Sequence, residues 1–172
     1  MSDKKKKAFS EIYNKYVNGI FRFVFLKVDS RQTAEDLTSE TFLKGWRAFK
    51  IQNPISKIKN PRAFLYKIAR NLVVDYYRQK THFRIISIEN AKFIRDPKNL
   101  EEKMNLDLDM LRIKTSLSKL QDTHQEIIIL RYLDDLSFSE IAEILDKSEN
   151  AVRVSLSRAL DKLKQGLEEF TP

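Results

Sequence analysis

Glycine and proline are scarce in this chain, which has three glycines and four prolines among 172 residues. The turns that connect strands in sheet proteins depend on these two residues, so a sheet-and-turn architecture is disfavoured. Apolar residues recur instead at the i, i+3, i+4, i+7 spacing of amphipathic helices. The sequence therefore predicts an all-α fold.

Three helices are predicted in the first 80 residues, over about 9–27, 29–49 and 61–80. Asp29 and Gln32 have the spacing of a capping box at the start of the second helix. Asn60 and Pro61 have the pattern of an N-cap followed by proline at the first helical position. The basic stretch 50–60 between the second and third helices is predicted to be a loop.

The second half of the chain carries a different pattern. Residues 81–110 lose clear periodicity and are predicted to form a flexible linker. Shorter helices follow at about 111–119, 122–133, 138–145 and 149–168. Asp122 with Gln125 suggests another capping box, and Ser137 with Glu140 fits the Ser-x-x-Glu pattern closely. The architecture is therefore two small helical domains, 1–80 and 111–172, joined by the linker 81–110.

Charge is divided unevenly along the chain. Residues 1–80 carry 18 basic and 7 acidic side chains, a net charge of +11, whereas residues 111–172 carry 9 and 11, a net charge of −2. A strongly basic half suits a polyanionic partner, which is nucleic acid or an acidic membrane face. The apolar stretch from Ile20 to Val28 is broken by Arg22 and Lys27, so neither a signal peptide nor a spanning helix is expected. A cytoplasmic protein is predicted.

Residue usage excludes several kinds of chemistry. The chain has no cysteine, which rules out disulfides, iron–sulfur clusters, thiol nucleophiles and cysteine-liganded zinc. With only His82 and His124, a histidine metal site or a catalytic triad is disfavoured. The sequence predicts no catalytic residue, no metal, no cofactor and no small-molecule substrate.

Residues 137–166 have the layout of a helix-turn-helix, with a tight turn at 146–148. Val152, Leu156, Ala159, Leu160 and Leu163 form the predicted buried stripe of its longer helix. The opposite face carries small and polar residues and two arginines, which suits insertion into a DNA major groove. An ordinary helical hairpin with a solvated face is the alternative, and the weak local net charge favours it.

Two further surfaces are suggested in the basic half. Lys67, Asn71, Asp75 and Arg78 form a polar stripe on the third helix, and aromatic residues accompany it: Phe64, Tyr66, Tyr76 and Tyr77. Basic groups beside aromatic rings suit single-stranded nucleic acid, although a solvated face over an aromatic core has the same pattern. The second helix carries Glu35, Asp36 and Glu40, an acidic cluster that suits a basic protein partner.

The residues resemble the extracytoplasmic-function (ECF) group of the sigma-70 family of RNA polymerase sigma factors. Ala34–Trp46 is similar to the segment that docks on core polymerase, and Asn60–Arg78 to the helix that opens and reads the −10 element. Leu136–Leu145 with Ala151–Ala159 is similar to the helix-turn-helix that reads the −35 element. The resemblance covers about residues 9–168.

This resemblance implies a protein that binds core RNA polymerase and directs promoter recognition, strand opening and transcription initiation, with catalysis left to the polymerase. It implies polymerase contacts by Asp36, Leu37, Ser39, Glu40 and Phe42. It implies contacts with the melted −10 strand by Asn60, Arg62, Lys67, Asn71, Asp75 and Arg78, with loop 50–60 capturing a flipped base. It implies contacts with the −35 duplex by Asn150, Ala151, Arg153, Val154, Ser157 and Arg158. An anti-sigma factor is a further expected partner.

The sequence departs from the family pattern at several positions. Ser39 stands where glutamine is frequent, and Asp146 stands where the turn often has glycine. Asn150-Ala151 replaces a common Gly-Thr, and Val154-Ser155 a common Ser-Arg, which bears on the promoter sequence preferred. Three other functions remain open on the residues alone: a stand-alone helix-turn-helix regulator, a nucleic-acid-processing enzyme, and a sigma mimic that sequesters a regulator.

Overall fold

The computed structural model of the chain describes residues 2–51, 58–88 and 108–168. All regular secondary structure in these ranges is helical. The chain divides into two compact units, Met1–Lys103 and Met104–Pro172. None of the described helices is long and apolar enough to cross a membrane.

The first unit contains α1 (Ser2–Lys27), α2 (Arg31–Ile51) and α3 (Pro61–Ile88). The second contains α4 (Leu108–Leu117), α5 (Asp122–Ile128), a π-helical turn (Ile129–Leu133), α6 (Phe138–Leu145) and α7 (Glu149–Glu168).

The core of the first unit lies where its three helices pack together. Phe23 from α1 and Leu65 from α3 are almost fully buried. The ring of Phe23 meets that of Tyr66 edge-on, with 5.6 Å between the ring centroids. Tyr66 is only 2% exposed, which corrects the prediction that it accompanies the basic surface. Its ring is large and apolar enough to serve the core instead.

The starts of α2 and α3 test two predicted caps. Ser30, and not Asp29, caps α2, because the Thr33 amide donates to Ser30 Oγ at 3.1 Å. The predicted box of Asp29 and Gln32 is therefore wrong by one residue. The Asn60 cap of α3 is confirmed by the Ala63 amide, which donates to Asn60 Oδ1 at 3.1 Å.

α3 does not end near Lys80, as the periodicity predicted, but continues to Ile88. The first residues assigned to the linker are therefore helical. Of the predicted linker 81–110, residues 89–107 lie outside the described residues.

The second unit is built around a core contributed by α5, α6 and α7, in which Ile127, Ile141 and Val152 are fully buried. The predicted capping box at Asp122 is wrong, because α5 begins after Gln121, whose side chain makes no cap bond. Leu160 was predicted to be buried but is 36% exposed. It lies at the edge of the apolar stripe of α7, where none of the described helices covers it fully.

Candidate nucleic-acid interface

The helix-turn-helix predicted at residues 137–166 is present, and local hydrogen bonds define both of its ends. Ser137 Oγ accepts from the Glu140 amide at 3.1 Å, and Glu140 Oε2 accepts from the Ser137 amide at 2.9 Å. This reciprocal pair is the capping box predicted for α6. Asp146 ends α6 with φ 52° and ψ 45°, the left-handed conformation that an aspartate tolerates better than most residues. Ser148 Oγ then accepts from the Ala151 amide at 3.1 Å, so α7 begins after a three-residue turn.

α7 has one buried and one exposed side along its first three turns. Val152, Leu156 and Ala159 pack into the core. The opposite side is exposed and contains most of the residues predicted to face the −35 duplex: Asn150, Arg153, Val154, Ser157 and Arg158. Ala151, the sixth, is half-buried. The structure thus brings the predicted −35 residues together on one side of a helix.

Arg153 contacts one side chain on α7 itself and one on α6. Its Nη2 lies 3.5 Å from Glu149 Oε2, an i,i+4 ion pair in which both side chains are about half exposed. Its guanidinium carbon lies 4.1 Å from the centroid of the Phe138 ring on α6. The guanidinium carbon of Arg131 lies 4.8 Å from the same centroid. Sequence spacing did not reveal the cluster of Arg131, Phe138 and Arg153, because these three residues come from three different elements.

The segment between α5 and α6 fixes the position of Phe138. The Asp134 amide donates to the Ile129 carbonyl at 3.0 Å, closing the π-helical turn, and Asp135 takes a left-handed φ of 52°. The Leu136 amide donates to the Leu130 carbonyl at 2.9 Å, and Arg131 Nη1 donates to the Leu136 carbonyl at 2.8 Å. Arg131 therefore both contacts the ring and ties down the chain two residues before it.

In the first unit, the polar stripe of α3 is only partly accessible. Asn71, Asp75 and Arg78 are exposed, and Arg78 Nη1 lies 3.8 Å from Asp75 Oδ1. The other predicted −10 residues are half-buried: Asn60, Arg62 and Lys67. The side chain of Asn60 is used as the cap of α3. Of the predicted base-capturing loop, residues 52–57 lie outside the described residues.

Asp29 anchors the middle of α3 to the turn between α1 and α2. Its Oδ1 accepts from the Tyr76 hydroxyl at 2.8 Å, and its Oδ2 pairs with the ammonium of Lys80. Burial raises the pKa of Asp29, but the bonds from Lys80 and Tyr76 outweigh it, so the pKa is lowered overall. The bond to Asp29 raises the pKa of Lys80 against the opposing effect of burial. Next to this anchor, the Tyr77 hydroxyl donates to the Lys27 carbonyl at 2.6 Å.

The acidic cluster of α2 lies on its outer face. Asp36, Ser39 and Glu40 are exposed and Leu37 is half-buried. Phe42 is different, because it is 5% exposed and its ring lies 4.7 Å, centroid to centroid, from that of Tyr13. Phe42 therefore supports this surface from the core, and its contact with core polymerase stays a prediction. Leu43, which was not assigned, is 48% exposed beside this face.

Two family models match the chain in the order of its two units. The model of sigma-70 region 2 matches residues 12–83, and the model of sigma-70 region 4 matches residues 110–163. The chain belongs to the sigma-70 family of RNA polymerase sigma factors.

Curated relatives of this sigma factor include members of the ECF group. It is 29% identical to the ECF RNA polymerase sigma factor SigM of Bacillus subtilis, over 90% of this chain and 91% of SigM. It is 28% identical to the B. subtilis sigma factor YlaC, over 95% of this chain and 94% of YlaC. The match to the ECF sigma factor BldN of Streptomyces coelicolor is 29% over 94% of this chain but spans 61% of the length of BldN. The chain is a member of the ECF group.

Two solved structures share the fold of this sigma factor. One is CnrH in complex with the cytosolic domain of CnrY, with a TM-score of 0.71, 23% identity, and coverage of 96% of this chain and 91% of CnrH. The other is the sigma factor RpoE in complex with the anti-sigma factor NepR from Bartonella quintana, with a TM-score of 0.70, 23% identity, and coverage of 96% and 99%. The all-helical, two-domain fold predicted from the sequence is confirmed.

Membership of this family gives the sigma factor its function. It binds core RNA polymerase and directs transcription initiation at specific promoters. Sigma factors are a family of transcription regulators. Its partners are core polymerase and promoter DNA.

Proposed function

We propose that the two units of this sigma factor divide promoter recognition between them. A region 2-like domain of about residues 1–80 binds core polymerase and the −10 element, and a region 4-like domain of about 111–172 binds the −35 element. Residues 81–110 join them. The protein works in the cytoplasm, where the polymerase and DNA are, and the polymerase does all the covalent chemistry. The observation that carries this proposal is that α7, the second helix of a complete helix-turn-helix, has an exposed side with two arginines.

The −35 duplex is read by the start of α7. Arg153 and Arg158 are exposed there, and arginine is the side chain best suited to pair with two acceptors of guanine. Val154 is 43% exposed, which suits contact with a thymine methyl group. Glu149 and Asp161 are also exposed and repel DNA phosphates. Contacts with bases therefore contribute more to DNA binding by this domain than attraction of phosphates does.

The melted −10 strand is held by α3. Asn71, Asp75 and Arg78 are exposed along one face, and the net charge of +11 over residues 1–80 supplies the attraction for phosphates. Unstacking a base costs a few kcal/mol. Stacking on an aromatic ring returns about 1–3 kcal/mol per base. Tyr77 is 39% exposed on the same helix, about 100° around it from Arg78. Asn60 acts indirectly, by starting the helix in the correct place.

Core polymerase docks on the outer face of α2. Asp36 and Glu40 lie one turn apart on this face, and Leu37 lies beside them. Each carboxylate has a partner on the same helix, since Gln32 Nε2 donates to Asp36 and Lys44 pairs with Glu40 at 3.3 Å. Such exposed pairs contribute little to the stability of the fold, so the two carboxylates can readily pair with basic groups of a partner instead.

An anti-sigma factor is the other proposed partner. CnrH and RpoE were solved in complexes with CnrY and with the anti-sigma factor NepR. A protein inhibitor of this chain would have to cover the polymerase-binding and DNA-binding surfaces described above. Such an inhibitor would keep the sigma factor from promoters until it is released.

Run-off transcription tests the proposal directly. Bacterial core polymerase is incubated with fragmented genomic DNA, with and without the protein. New discrete transcripts are expected, and their start sites give the −10 and −35 sequences. Core binding without transcripts would indicate a sigma mimic. The absence of both core binding and transcripts would indicate a stand-alone regulator.

A charge reversal on α2 separates docking from DNA reading. Asp36→Arg should abolish co-purification with core polymerase and all run-off transcripts, while the circular dichroism spectrum stays unchanged. Glu11→Arg is the matched control, because Glu11 is an exposed acid on α1 of the same unit. If Asp36→Arg co-purifies with core as well as Glu11→Arg does, α2 is not the docking surface.

A further inference from the structure

Phe138 has no assigned role, yet it stands at the centre of the cluster beside the start of α7. Two guanidinium groups lie against its ring, Arg131 at 4.8 Å and Arg153 at 4.1 Å from the centroid. Both distances lie well inside the roughly 6 Å range of a cation–π interaction. One aromatic ring thus attracts two cations that would otherwise repel each other.

The ring cannot move away easily from this position. Phe138 is the first residue of α6, directly after the N-cap Ser137, and the capping box fixes the backbone there. On the other side, Arg131 holds the Leu136 carbonyl at 2.8 Å. The backbone that carries the ring is therefore held on both sides by bonds that do not involve Arg153.

Arg153 is restrained by the ring and by Glu149 in different ways. The pair with Glu149 is exposed, at 3.5 Å, and is screened by salt. The contact with Phe138 is a cation–π contact, with 4.1 Å between the guanidinium carbon and the ring centroid, and it restricts where the guanidinium lies. A long arginine side chain loses much rotamer freedom when it binds a base, so a side chain ordered in advance binds at a lower entropic cost.

We propose that Phe138 is a positioning residue for −35 recognition, whose ring holds the Arg153 guanidinium on the DNA-facing side of α7 before DNA binds. This inference rests on the proposed function of α7. The ring touches no base itself; it acts through Arg153. Arg131 is the second part of the device, since it fixes the turn that carries the ring.

A merely structural role for Phe138 predicts something different. A looser turn would weaken binding of every duplex and would do so whether or not Arg153 is present. A positioning role affects only the base pair that Arg153 reads, and it disappears when Arg153 is removed. A double-mutant cycle distinguishes the two roles.

The experiment uses the full chain bound to core polymerase. Competition between a promoter found by run-off transcription and versions with single −35 base-pair changes gives the discrimination at each position. Phe138→Leu should lower discrimination about two- to fivefold at the position that Arg153→Ala also affects, as expected for losing a cation–π contact at an exposed site. Phe138→Tyr should keep it, because the ring is kept. In the Arg153→Ala background, Phe138→Leu should change nothing further.

Equal losses from Phe138→Leu in both arginine backgrounds would overturn the inference, as would equal losses at all −35 positions. If Phe138→Leu lowers the melting temperature, Phe138→Met provides the test, because methionine keeps most of the apolar volume but has no aromatic ring to attract a guanidinium. Phe138→Met should lose the same discrimination as Phe138→Leu, and full retention contradicts the inference. If Arg158→Ala lowers discrimination but Arg153→Ala does not, the inference about Phe138 fails and the proposed function of α7 stands. If neither does, the proposed function of α7 fails with it.

Discussion

Asp29 joins three parts of the first unit through a single carboxylate. It lies in the turn after α1, and it accepts from Tyr76 and pairs with Lys80, both on α3. It therefore fixes the helix proposed to hold the −10 strand against the other two helices. We expect Asp29→Asn to lower the melting temperature of the first unit. Asp75→Asn, at an exposed acid on the same helix, should leave it unchanged.

The pH dependence of this effect follows from the two shifted pKa values. Asp29 has a lowered pKa, so its contribution to stability is present above its ordinary value of 3.8 and is lost as the pH falls through the folded-state pKa. Lys80 has a raised pKa, so its contribution is present below 10.5 and is lost as the pH rises through its folded-state pKa. The melting difference between wild type and Asp29→Asn should be constant near neutral pH and shrink below about pH 4. A difference that persists undiminished at the acid end would show that the charge of Asp29 is not involved.

Arg158 tests the reading face of α7 independently of the Phe138 cluster. Its side chain is exposed on the same side as Arg153, and Arg158→Ala should weaken holoenzyme binding to the −35 element by about 1–3 kcal/mol and relax preference at one base pair. Arg112→Ala is the control, because Arg112 is an exposed arginine of the same unit that lies on α4 and not on α7. Competition between matched and scrambled −35 duplexes measures both. An equal effect of the two variants would show that only net charge matters.

At the level of single residues, the sequence predicted some local features but not the burial of every apolar side chain. The Ser137–Glu140 and Asn60 caps were predictable, because a cap depends on residues three apart in the chain. Phe42 was not, since whether an apolar residue on an amphipathic helix faces a partner or its own core depends on the neighbouring helix. The aromatic rings of Phe9 and Tyr13 on α1 cover it.

At the scale of elements, Gly45 lets α2 approach α3 closely. A Cβ atom at Gly45 would lie 2.8 Å from Leu65 Cδ2, and Leu65 is only 1% exposed, so its side chain has little room to shift. Alanine would gain about 1 kcal/mol in helix propensity but lose about 1–3 kcal/mol through overpacking. We expect Gly45→Ala to destabilise the first unit by up to about 2 kcal/mol in denaturant unfolding.

Gly166 on α7 provides the opposite case in the same chain. In the part of the chain that the structure describes, no atom lies within 4 Å of a Cβ placed there. Gly166→Ala should therefore stabilise the second unit, by at most about 1 kcal/mol, through helix propensity alone. If both substitutions shift stability in the same direction, the close approach at Gly45 does not control the packing of α2.

Helix positions were predictable because hydrophobic periodicity reflects burial within each helix, and α6 and α7 occupy the predicted ranges. The end of α3 was not predictable in this way. Beyond Lys80 no periodic apolar stripe signals a helix, yet the helix continues to Ile88. The π-helical turn at Ile129–Leu133 was also missed, since it adds one residue to a helical turn without changing the apolar pattern.

At the scale of the whole molecule, the positive charge and the duplex-reading helix lie in different units. Residues 1–80 have a net charge of +11 and residues 111–172 a net charge of −2. Salt-dependent, sequence-independent binding comes mainly from phosphate neutralisation, so the basic unit should dominate DNA binding by the free chain. Reading of the −35 element should then require core polymerase, which holds the weakly charged second unit at its site.

We therefore expect the free chain to bind matched and scrambled −35 duplexes almost equally, with an affinity that falls steeply as salt rises from about 50 to 200 mM. The holoenzyme should prefer the matched duplex by a factor approaching the roughly 10³ or more of specific DNA-binding proteins. Fluorescence anisotropy with labelled duplexes, with and without core, measures both. Strong discrimination by the free chain would mean that α7 needs no help from the polymerase. The chain would then act on duplex DNA as a stand-alone regulator does, and its charge division would need another explanation.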